Sequence, residues 1–258
     1  TYGHFYTMDR DTILHPKMNP AYGEAKLYLR ADILDVLKEE LQSVKYYKFD
    51  CNEQMASKLK AYLAEQHIQM HLGANFKHEA EVKKLIQKLN KNQNSFMLWG
   101  WWNVSETTPW ISLHVLEALI EAEQLNYKVN IKKDLITQSL IWMFANTKDF
   151  DTQIRILKSV ILMRAKADYE GFYKELEKHN LTDISDQLQM LEISQLIGKP
   201  IDIQMIKKHQ ETTLFGNIYI SKPQKNVKIF TNEIQNTLLA YRILQRDSVL
   251  RKSEAETL

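Results

Sequence analysis

The only cysteine of this chain and a glutamine three residues later are a pair of side chains that could react with each other. Cys51 and Gln54 lie in the stretch YYKFDCNEQMASKLKAYL, residues 46–63. Asp50 and Glu53 form an Asp-x-x-Glu capping pattern, which predicts a helix with Asp50 as its N-cap. On a helix, residues three apart are surface neighbours, with Cβ atoms about 5–6 Å apart. The thiol of Cys51 would then reach the carboxamide carbon of Gln54.

Attack of the Cys51 sulfur on the Gln54 amide, with loss of ammonia, would form an internal thioester. A thiol in the first turn of a helix lies at the positive end of the helix dipole, which favours the nucleophilic thiolate. Because an amide is a poor electrophile, the reaction needs close positioning of both groups. Tyr46, Tyr47 and Phe49 are placed to keep water from such a bond. The alternative is that Cys51 is a small buried hydrophobic residue, as lone cysteines often are.

Composition narrows the classes of protein that this chain can belong to. Its 258 residues are enough for one large domain or two small ones, and 44% apolar with 26% charged residues is ordinary for a globular protein. The net charge of +2 gives no reason to expect nucleic acid or an anionic membrane as a partner. No apolar run reaches the roughly 18 residues of a membrane span, and no signal peptide is visible. We therefore predict no nucleic-acid binding and no direct membrane insertion.

The elements that must position the Cys51 segment are predicted to be helices. Glycine (7) and proline (5) are scarce, whereas proteins with many tight turns use more of both. Apolar residues recur at helical spacing in 33–44, 55–63, 111–125, 135–144, 154–163, 184–197 and 234–244. Thr108 with Pro109, and Asn232 with Gln235, are typical of helix N-termini. We predict an all-α domain of many antiparallel helices.

Three stretches depart from this pattern. GNIYISKPQKNVKIF, residues 216–230, has β-branched and aromatic residues on both sides of a Lys-Pro-Gln-Lys-Asn turn, which predicts a small β-hairpin. Residues 1–30 lack clear periodicity and are predicted to be an extended lead-in or linker. The charged residues 247–258 are predicted to form a fraying C-terminal tail.

The motif and its surroundings resemble one known protein family. CNEQ, residues 51–54, is similar to the Cys-x-Glu-Gln thioester motif of the alpha-2-macroglobulin and complement family, and EQMAS resembles the Glu-Gln-x-x-Ser of its bacterial members. FMLWGWWNVSETTPWISLHVLEALIEAEQLNYKV, residues 96–129, resembles the aromatic loop and following helix of the family's thioester domain. NEIQNTLLAYRIL resembles the closing helix of that domain. The resemblance covers most of residues 31–246.

This resemblance implies a fold, a setting and an action. The implied fold is an α/α toroid, two concentric rings of antiparallel helices, in a domain of residues 31–246 that is part of a longer multidomain chain. The implied setting is the periplasm or cell surface, with a lipoprotein anchor outside this sequence. The implied action is protease inhibition by covalent trapping: after bait cleavage, a lysine amine of the attacking protease takes the Gln54 acyl group and Cys51 leaves. The reaction is used once, so the chain is not predicted to be an enzyme, and it needs no cofactor.

Two departures from the family pattern bear on this reading. Many members have Pro-Tyr-Gly before the cysteine, where this sequence has Lys48, Phe49 and Asp50. Asp50 can act as the helix cap in place of that glycine, so we expect altered local geometry. Complement members that acylate hydroxyls use a downstream histidine, but FANTKDFDTQIRILKS contains none, and His179 is the nearest later candidate. The absence of that histidine favours amine acceptors.

Other aromatic and charged residues have more than one reading. The densest aromatic patch consists of Trp99, Trp101, Trp102 and Trp110 with Phe96. It could shield the thioester, dock a neighbouring domain of the same chain or stack on a sugar, or it could fill the core. Glu53 could polarise the thioester chemistry, or act only as a helix cap. His67, His71 and His78 are spaced by four and seven residues, but Gly73 and Asn75 are expected to end the helix before His78, so no metal site is predicted.

Two alternatives to the trapping function stay open at this point. The same fold could carry no functional thioester and act as a scaffold or protein-interaction module. The chain could also be an α/α-toroid enzyme acting on carbohydrate or isoprenoid substrates. Such an enzyme would need paired acidic residues in a cleft or an Asp-rich metal motif, and neither is convincingly placed.

Overall fold

The all-α prediction is confirmed by the structure, a computed structural model that describes residues 34–214, 216–221 and 232–246. Within these residues the chain forms ten α-helices and two short strands. In chain order they are α1 Leu34–Lys45, α2 Asn52–His71, α3 Glu79–Lys91, α4 Pro109–Gln124, α5 Lys133–Asn146, α6 Phe150–Leu162, α7 Tyr169–Leu176, α8 Ile184–Leu196, α9 Gln204–Lys208, β1 Gln210–Thr212, β2 Ile218–Ile220 and α10 Glu233–Arg246.

Alternate helices are neighbours in space. α2 packs on α4, α4 on α6, α6 on α8, and α8 on α10, while α1 and α3 pack on α2, and α5 and α7 on α6. The apolar patterns agree with these positions. α4 is buried on most sides, from Ile111 to Ala122, as expected of an inner helix, whereas α3 buries a single stripe, Val82, Leu85, Ile86 and Leu89. Such alternation is expected of a toroid, and the closure of the helices into two rings stays a prediction.

Ion pairs to one buried carboxylate join the later helices of this series. The Glu192 side chain of α8 is 2% exposed and lies between Lys158 of α6 and Arg246 of α10, at 2.5 and 2.7 Å. Burial acts to raise the pKa of Glu192, but the two cations outweigh it and hold the pKa below its ordinary value. One carboxylate thus connects three helices.

The β-hairpin lies earlier in the chain than the sequence predicts. β2, residues 218–220, pairs in antiparallel register with β1, residues 210–212, so that Glu211 lies opposite Tyr219. The expected strand does form at 218–220, but its partner precedes it, and the pairing across the Lys-Pro-Gln-Lys-Asn turn falls outside the described residues. Gly216, with φ of 84°, supplies the positive φ that the observed turn requires.

The predicted helix boundaries hold in several places. α4 begins at Pro109 with Thr108 as its N-cap. Asn232 and Gln235 exchange hydrogen bonds as a capping box at the start of α10, with N···O distances of 3.3 and 3.1 Å. The lead-in of residues 1–30 and the tail of residues 247–258 lie outside the described residues. Among the described helices, none combines the length and apolar character that crossing a membrane would require.

Candidate functional site

The helix that carries the motif begins one residue later than its sequence predicts. Cys51 is the N-cap of α2, in extended backbone with φ −70° and ψ 166°, and Asn52 is the first helical residue. The prediction of Asp50 as N-cap is therefore wrong. The Asp50 carboxylate instead pairs with Lys58 and Lys88, at 2.6 and 2.8 Å. Hydrogen bonds from these two lysines hold the pKa of Asp50 below its ordinary value.

The later start brings Cys51 and Gln54 together in a capping-box arrangement. The backbone N–H of Cys51 donates to the side-chain oxygen of Gln54 at 3.2 Å. The Cys51 residue is 3% exposed and its thiol is free, and Gln54 is half-buried. The first N–H groups of a helix have no partner within the helix, and the Gln54 carboxamide satisfies one of them. The two residues that the sequence analysis singled out are thus in direct contact.

Asn52 fastens this helix end to the loop of residues 92–108. Its backbone N–H donates to the Trp101 carbonyl at 3.0 Å. Its side-chain amide donates to the carbonyls of Gly100 and Trp102, at 2.9 and 3.0 Å, and its oxygen accepts from Asn92 at 2.7 Å. Asn52 is fully buried, with all of these groups paired. The sequence analysis missed this residue, although a polar residue inside a reactive motif was a signal for it.

The 92–108 loop has its own internal support. Asn94 accepts from the backbone N–H groups of Phe96 and Leu98, and donates to Ser105 and Thr107. Gly100 has no room for a side chain, because an added Cβ would lie 1.9 Å from the carbonyl oxygen of Glu106. The absence of a side chain at Gly100 thus lets its backbone lie close to that of Glu106, at the point where the Gly100 carbonyl binds Asn52.

The aromatic residues divide between core and surface. Trp99 is fully buried and its indole N–H donates to the Leu89 carbonyl at 2.7 Å, so the core reading is right for this residue. Trp101 and Trp102 are 46% and 61% exposed, and the Trp101 ring packs edge-on against Trp110 at 5.4 Å. Their backbone carbonyls, rather than their rings, hold the start of α2.

Tyr46, Tyr47 and Phe49 lie between α1 and α2, and each is more than half exposed. Tyr47 and Phe49 pack edge-on at 5.9 Å, and Lys58 binds the Phe49 carbonyl at 2.9 Å. Cys51 is buried although these rings face solvent, and their shielding role stays a prediction. Trp101, Trp102 and Trp110 are also exposed, and we call these three rings the exposed aromatic surface.

Glu53 does not cap the helix, because Gln54 has that role. The Glu53 carboxylate accepts a hydrogen bond from the Ser57 hydroxyl at 2.9 Å. The same hydroxyl lies 2.9 Å from Nε2 of His114 on α4, and Nδ1 of that ring lies 3.1 Å from the Lys60 ammonium. Sequence reasoning missed Ser57 and His114. The spacing of four between Glu53 and Ser57 signals a shared helix face, but nothing local signals His114.

Burial and neighbouring charges shift the pKa values of His114 and Glu117. Burial, followed by the nearby Lys60 ammonium, lowers the pKa of His114 to about 4. Burial acts to raise the pKa of Glu117, but Lys60 and Arg155, at 2.9 and 2.8 Å, outweigh it and hold that pKa below its ordinary value. His114 is therefore a neutral ring at neutral pH, among groups of fixed charge.

Among the described residues, His71, His78 and His179 have surroundings different from those of His114. His179 lies 2.8 Å from the Gln153 side chain and packs edge-on against Phe150, both on α6. As predicted, α2 ends at His71, before Gly73, and His78 stands apart at the start of α3. Within 34–214, 216–221 and 232–246, no group of three or more His, Cys, Asp or Glu side chains is arranged to hold a metal ion.

Comparison with known proteins gives a match in structure but not in sequence. No protein-family model matches the chain, and no curated protein matches it significantly. A cryo-EM reconstruction of the native conformation of Escherichia coli alpha-2-macroglobulin aligns with a TM-score of 0.53 and 17% identity, over 69% of this chain and 13% of that one. A crystal structure of the native Escherichia coli protein, from domain MG7 to the C-terminus, aligns with a TM-score of 0.59 and 16% identity, over 86% of this chain and 37% of that one.

This chain has an alpha-2-macroglobulin-like fold. At these identities the likeness shows the fold alone, and the chain spans well under half the length of either neighbour. The predicted relationship to bacterial alpha-2-macroglobulin is confirmed at the level of fold. The assignment to the thioester domain within that fold stays a prediction.

Proposed function

We propose that this chain is the thioester-containing domain of an alpha-2-macroglobulin-like protease-trapping protein. The observation that carries the proposal is the contact between Cys51 and Gln54: a buried thiol at the N-cap of α2, next to a carboxamide held by the cap's own N–H at 3.2 Å. The fold likeness to bacterial alpha-2-macroglobulin supports it independently.

The capping contact suits the chemistry of thioester formation. The Cys51 sulfur attacks the Gln54 carbonyl carbon, the C–N bond breaks, and the thiol proton leaves with the amide nitrogen as ammonia. Negative charge develops on the carbonyl oxygen during attack, and that oxygen already accepts the Cys51 N–H at the positive end of α2. The contacts of Asn52 with the 92–108 loop fix the backbone on which both reacting side chains stand.

The trapping step transfers the acyl group to a protease. A lysine amine of the attacking protease bonds to the Gln54 carbonyl carbon, the C–S bond breaks, and the proton lost by the amine ends on the freed Cys51 sulfur. Residues 144–159 contain no histidine, and His179 is held against α6. We therefore propose amine acceptors rather than hydroxyl acceptors. Because each molecule reacts once, the domain acts as an inhibitor and not as an enzyme.

The surroundings of the site suggest how it is kept dormant. We propose that the alternate helix packing closes into an α/α toroid, and that a neighbouring domain of the same chain docks on the exposed aromatic surface beside the start of α2. The rings of Trp101, Trp102 and Trp110 are each at least 44% exposed. Burying them against another domain would remove apolar surface from water, which is favourable. For the complete protein we propose a periplasmic or cell-surface location with a lipoprotein anchor.

Thiol titration with methylamine tests the proposal. Because Cys51 is buried, the thiol is titrated after unfolding in denaturant, with and without prior treatment of the folded protein with methylamine. We expect no thiol before treatment and one thiol after it. Gln54→Asn is the matched control: its shortened side chain forms no thioester, so its thiol titrates fully from the start. A wild-type protein that behaves like this variant would instead favour the scaffold alternative.

A further inference from the structure

The side chain of Lys58 ends beside the start of α2, next to the proposed thioester. Its ammonium donates to the Asp50 carboxylate at 2.6 Å and to the Phe49 carbonyl at 2.9 Å. The Lys58 side chain is 12% exposed, so the amine is held against the protein rather than extended into solvent. The thiol chemistry and the loop contacts described above do not use this amine.

Lys58 and Gln54 lie on one face of α2 and reach in the same direction. They are four residues apart on the helix, so their Cβ atoms are neighbours, about 5–6 Å apart. The Gln54 oxygen accepts from the N–H of Cys51 at 3.2 Å, and Lys58 donates to the carbonyl of Phe49. That N–H and that carbonyl belong to consecutive peptide groups, one on each side of Asp50. A rotation of the Lys58 side chain would therefore bring its amine to the Gln54 carbonyl carbon.

An amine in this place would consume the acyl group that the proposed function transfers to a protease. The Lys58 ammonium would give one proton to water, and the neutral amine would bond to the Gln54 carbonyl carbon. The C–S bond would then break, and a second amine proton would end on the Cys51 sulfur. The products are a Gln54–Lys58 amide and a free thiol. Because a group tethered this closely has an effective concentration of the order of mM, an unrestrained Lys58 would compete with any external amine.

Asp50 is placed to restrain this lysine. Its Oδ1 binds Lys58, and its Oδ2 binds Lys88 of α3 at 2.8 Å, so a second helix anchors the carboxylate. Hydrogen bonds from Lys58 and Lys88 hold the pKa of Asp50 below its ordinary value, so Asp50 is ionised at neutral pH. An ammonium that donates to two acceptors has no electron pair with which to attack a carbonyl carbon.

We infer that Asp50 is a positioning residue that keeps Lys58 from taking the Gln54 acyl group, and so preserves that group for an external amine. This inference rests on the proposed thioester. It gives Asp50 a role in the lifetime of the bond, in place of the helix cap that the sequence predicts.

Intact mass and thiol titration in denaturant distinguish the states of each variant. A thioester lacks one ammonia and has no thiol, the Gln54–Lys58 amide lacks one ammonia and has one thiol, and a hydrolysed thioester has gained one water and has one thiol. If the wild type has not lost ammonia, the proposed function fails, and this inference falls with it. If the thioester is present, the folded protein is incubated without added amine and the appearance of the thiol is followed. A wild type that already carries the amide would overturn the inference alone.

Asp50→Asn is the direct variant, because it keeps the size of the side chain and removes its charge. We expect the thiol to appear about tenfold faster than in the wild type, the factor that one hydrogen bond between charged groups is worth. Trypsin does not cleave after an acylated lysine, so digestion should release FDCNEQMASKLK, residues 49–60, lighter by one ammonia and with a free Cys51.

Two further variants identify the reacting amine. Asp50→Asn combined with Lys58→Arg should return to the wild-type rate, because a guanidinium does not take the acyl group. Lys88→Gln is the matched control: it removes the other partner of Asp50, leaves the Lys58 contact in place, and should keep the wild-type rate.

Two results for Asp50→Asn would overturn the inference. One is a thioester that lasts as long as in the wild type. The other is a faster loss by hydrolysis that Lys58→Arg does not reverse, because Asp50 would then exclude water rather than hold Lys58. If Asp50→Asn forms no thioester, salt decides the matter in the wild type. At about 1 M salt, where the screening length is about 3 Å, the amide to Lys58 should form faster than at about 0.1 M, and equal rates would overturn the inference.

Discussion

The neutral, half-buried His114 makes the stability of this fold depend on pH in a way that can be calculated. Its pKa is lowered from 6.5 to about 4 in the folded protein. Between these values the unfolded chain binds a proton that the folded chain does not, so stability falls as the pH falls through 6.5 and levels off below about 4. The two pKa values give a loss from this residue of about 2 kcal/mol at about pH 5, against about 0.2 kcal/mol at about pH 7.

Urea unfolding at about pH 7 and about pH 5 would measure this contribution. Glutamine cannot titrate, so we expect the free energy of unfolding of His114→Gln to fall by about 2 kcal/mol less between the two pH values than that of the wild type. His71→Gln, at the exposed end of α2, is the matched control and should follow the wild type. A His114→Gln protein that loses as much stability as the wild type would refute the assignment of a neutral ring with a lowered pKa.

Three further substitutions test the packing around the site, each by chemical denaturation. Asn52→Ala should cost about 3 kcal/mol, because it leaves buried carbonyl groups of the 92–108 loop without donors. Gly100→Ala should cost at least about 2 kcal/mol, because its Cβ would lie 1.9 Å from a backbone oxygen. Glu192→Gln should cost about 3 kcal/mol, because it leaves two cations around a side chain that is 2% exposed.

Smaller losses than these would contradict the roles given to Asn52 and Glu192. A loss under about 1 kcal/mol for Asn52→Ala would mean that the loop does not hold the start of α2. A similarly small loss for Glu192→Gln would mean that water reaches the ion pairs between α6, α8 and α10.

The sequence predicts the helices well, because their signal is local. Spacing of apolar residues and the caps at Thr108 and Asn232 depend only on neighbouring residues, and α4 and α10 begin where those caps predict. The hairpin is different, because strand pairing depends on contacts between separate segments. Ile218–Ile220 has the composition of a strand, but composition does not reveal that its partner precedes it.

The pair of reacting residues at the site could be predicted from the sequence. The contacts that hold the start of α2 in place could not. Cys51 and Gln54 are three residues apart, so helix geometry brings them together whether the N-cap is Asp50 or Cys51. The choice of N-cap was wrong because Asp50 pairs with Lys58 and with the distant Lys88. Tertiary contacts of this kind override a local capping pattern.

The residues that the sequence does not reveal act across long separations. Asn52 contacts Gly100, which lies 48 positions further along the chain, and Ser57 contacts His114, which lies 57 positions further along. No periodicity or short motif encodes such pairs. Burial of a polar side chain is what marks them, and burial becomes visible only in the folded chain.

The mass of one peptide tests the central claim most directly. Proteolysis at Lys48 and Lys58 of freshly purified protein releases FDCNEQMASK, residues 49–58. We expect this peptide to be lighter than its sequence mass by one ammonia, and we expect methylamine treatment of the folded protein to add one methylamine to it at Gln54. A peptide of full sequence mass, with a free Cys51 and no response to methylamine, would contradict the thioester.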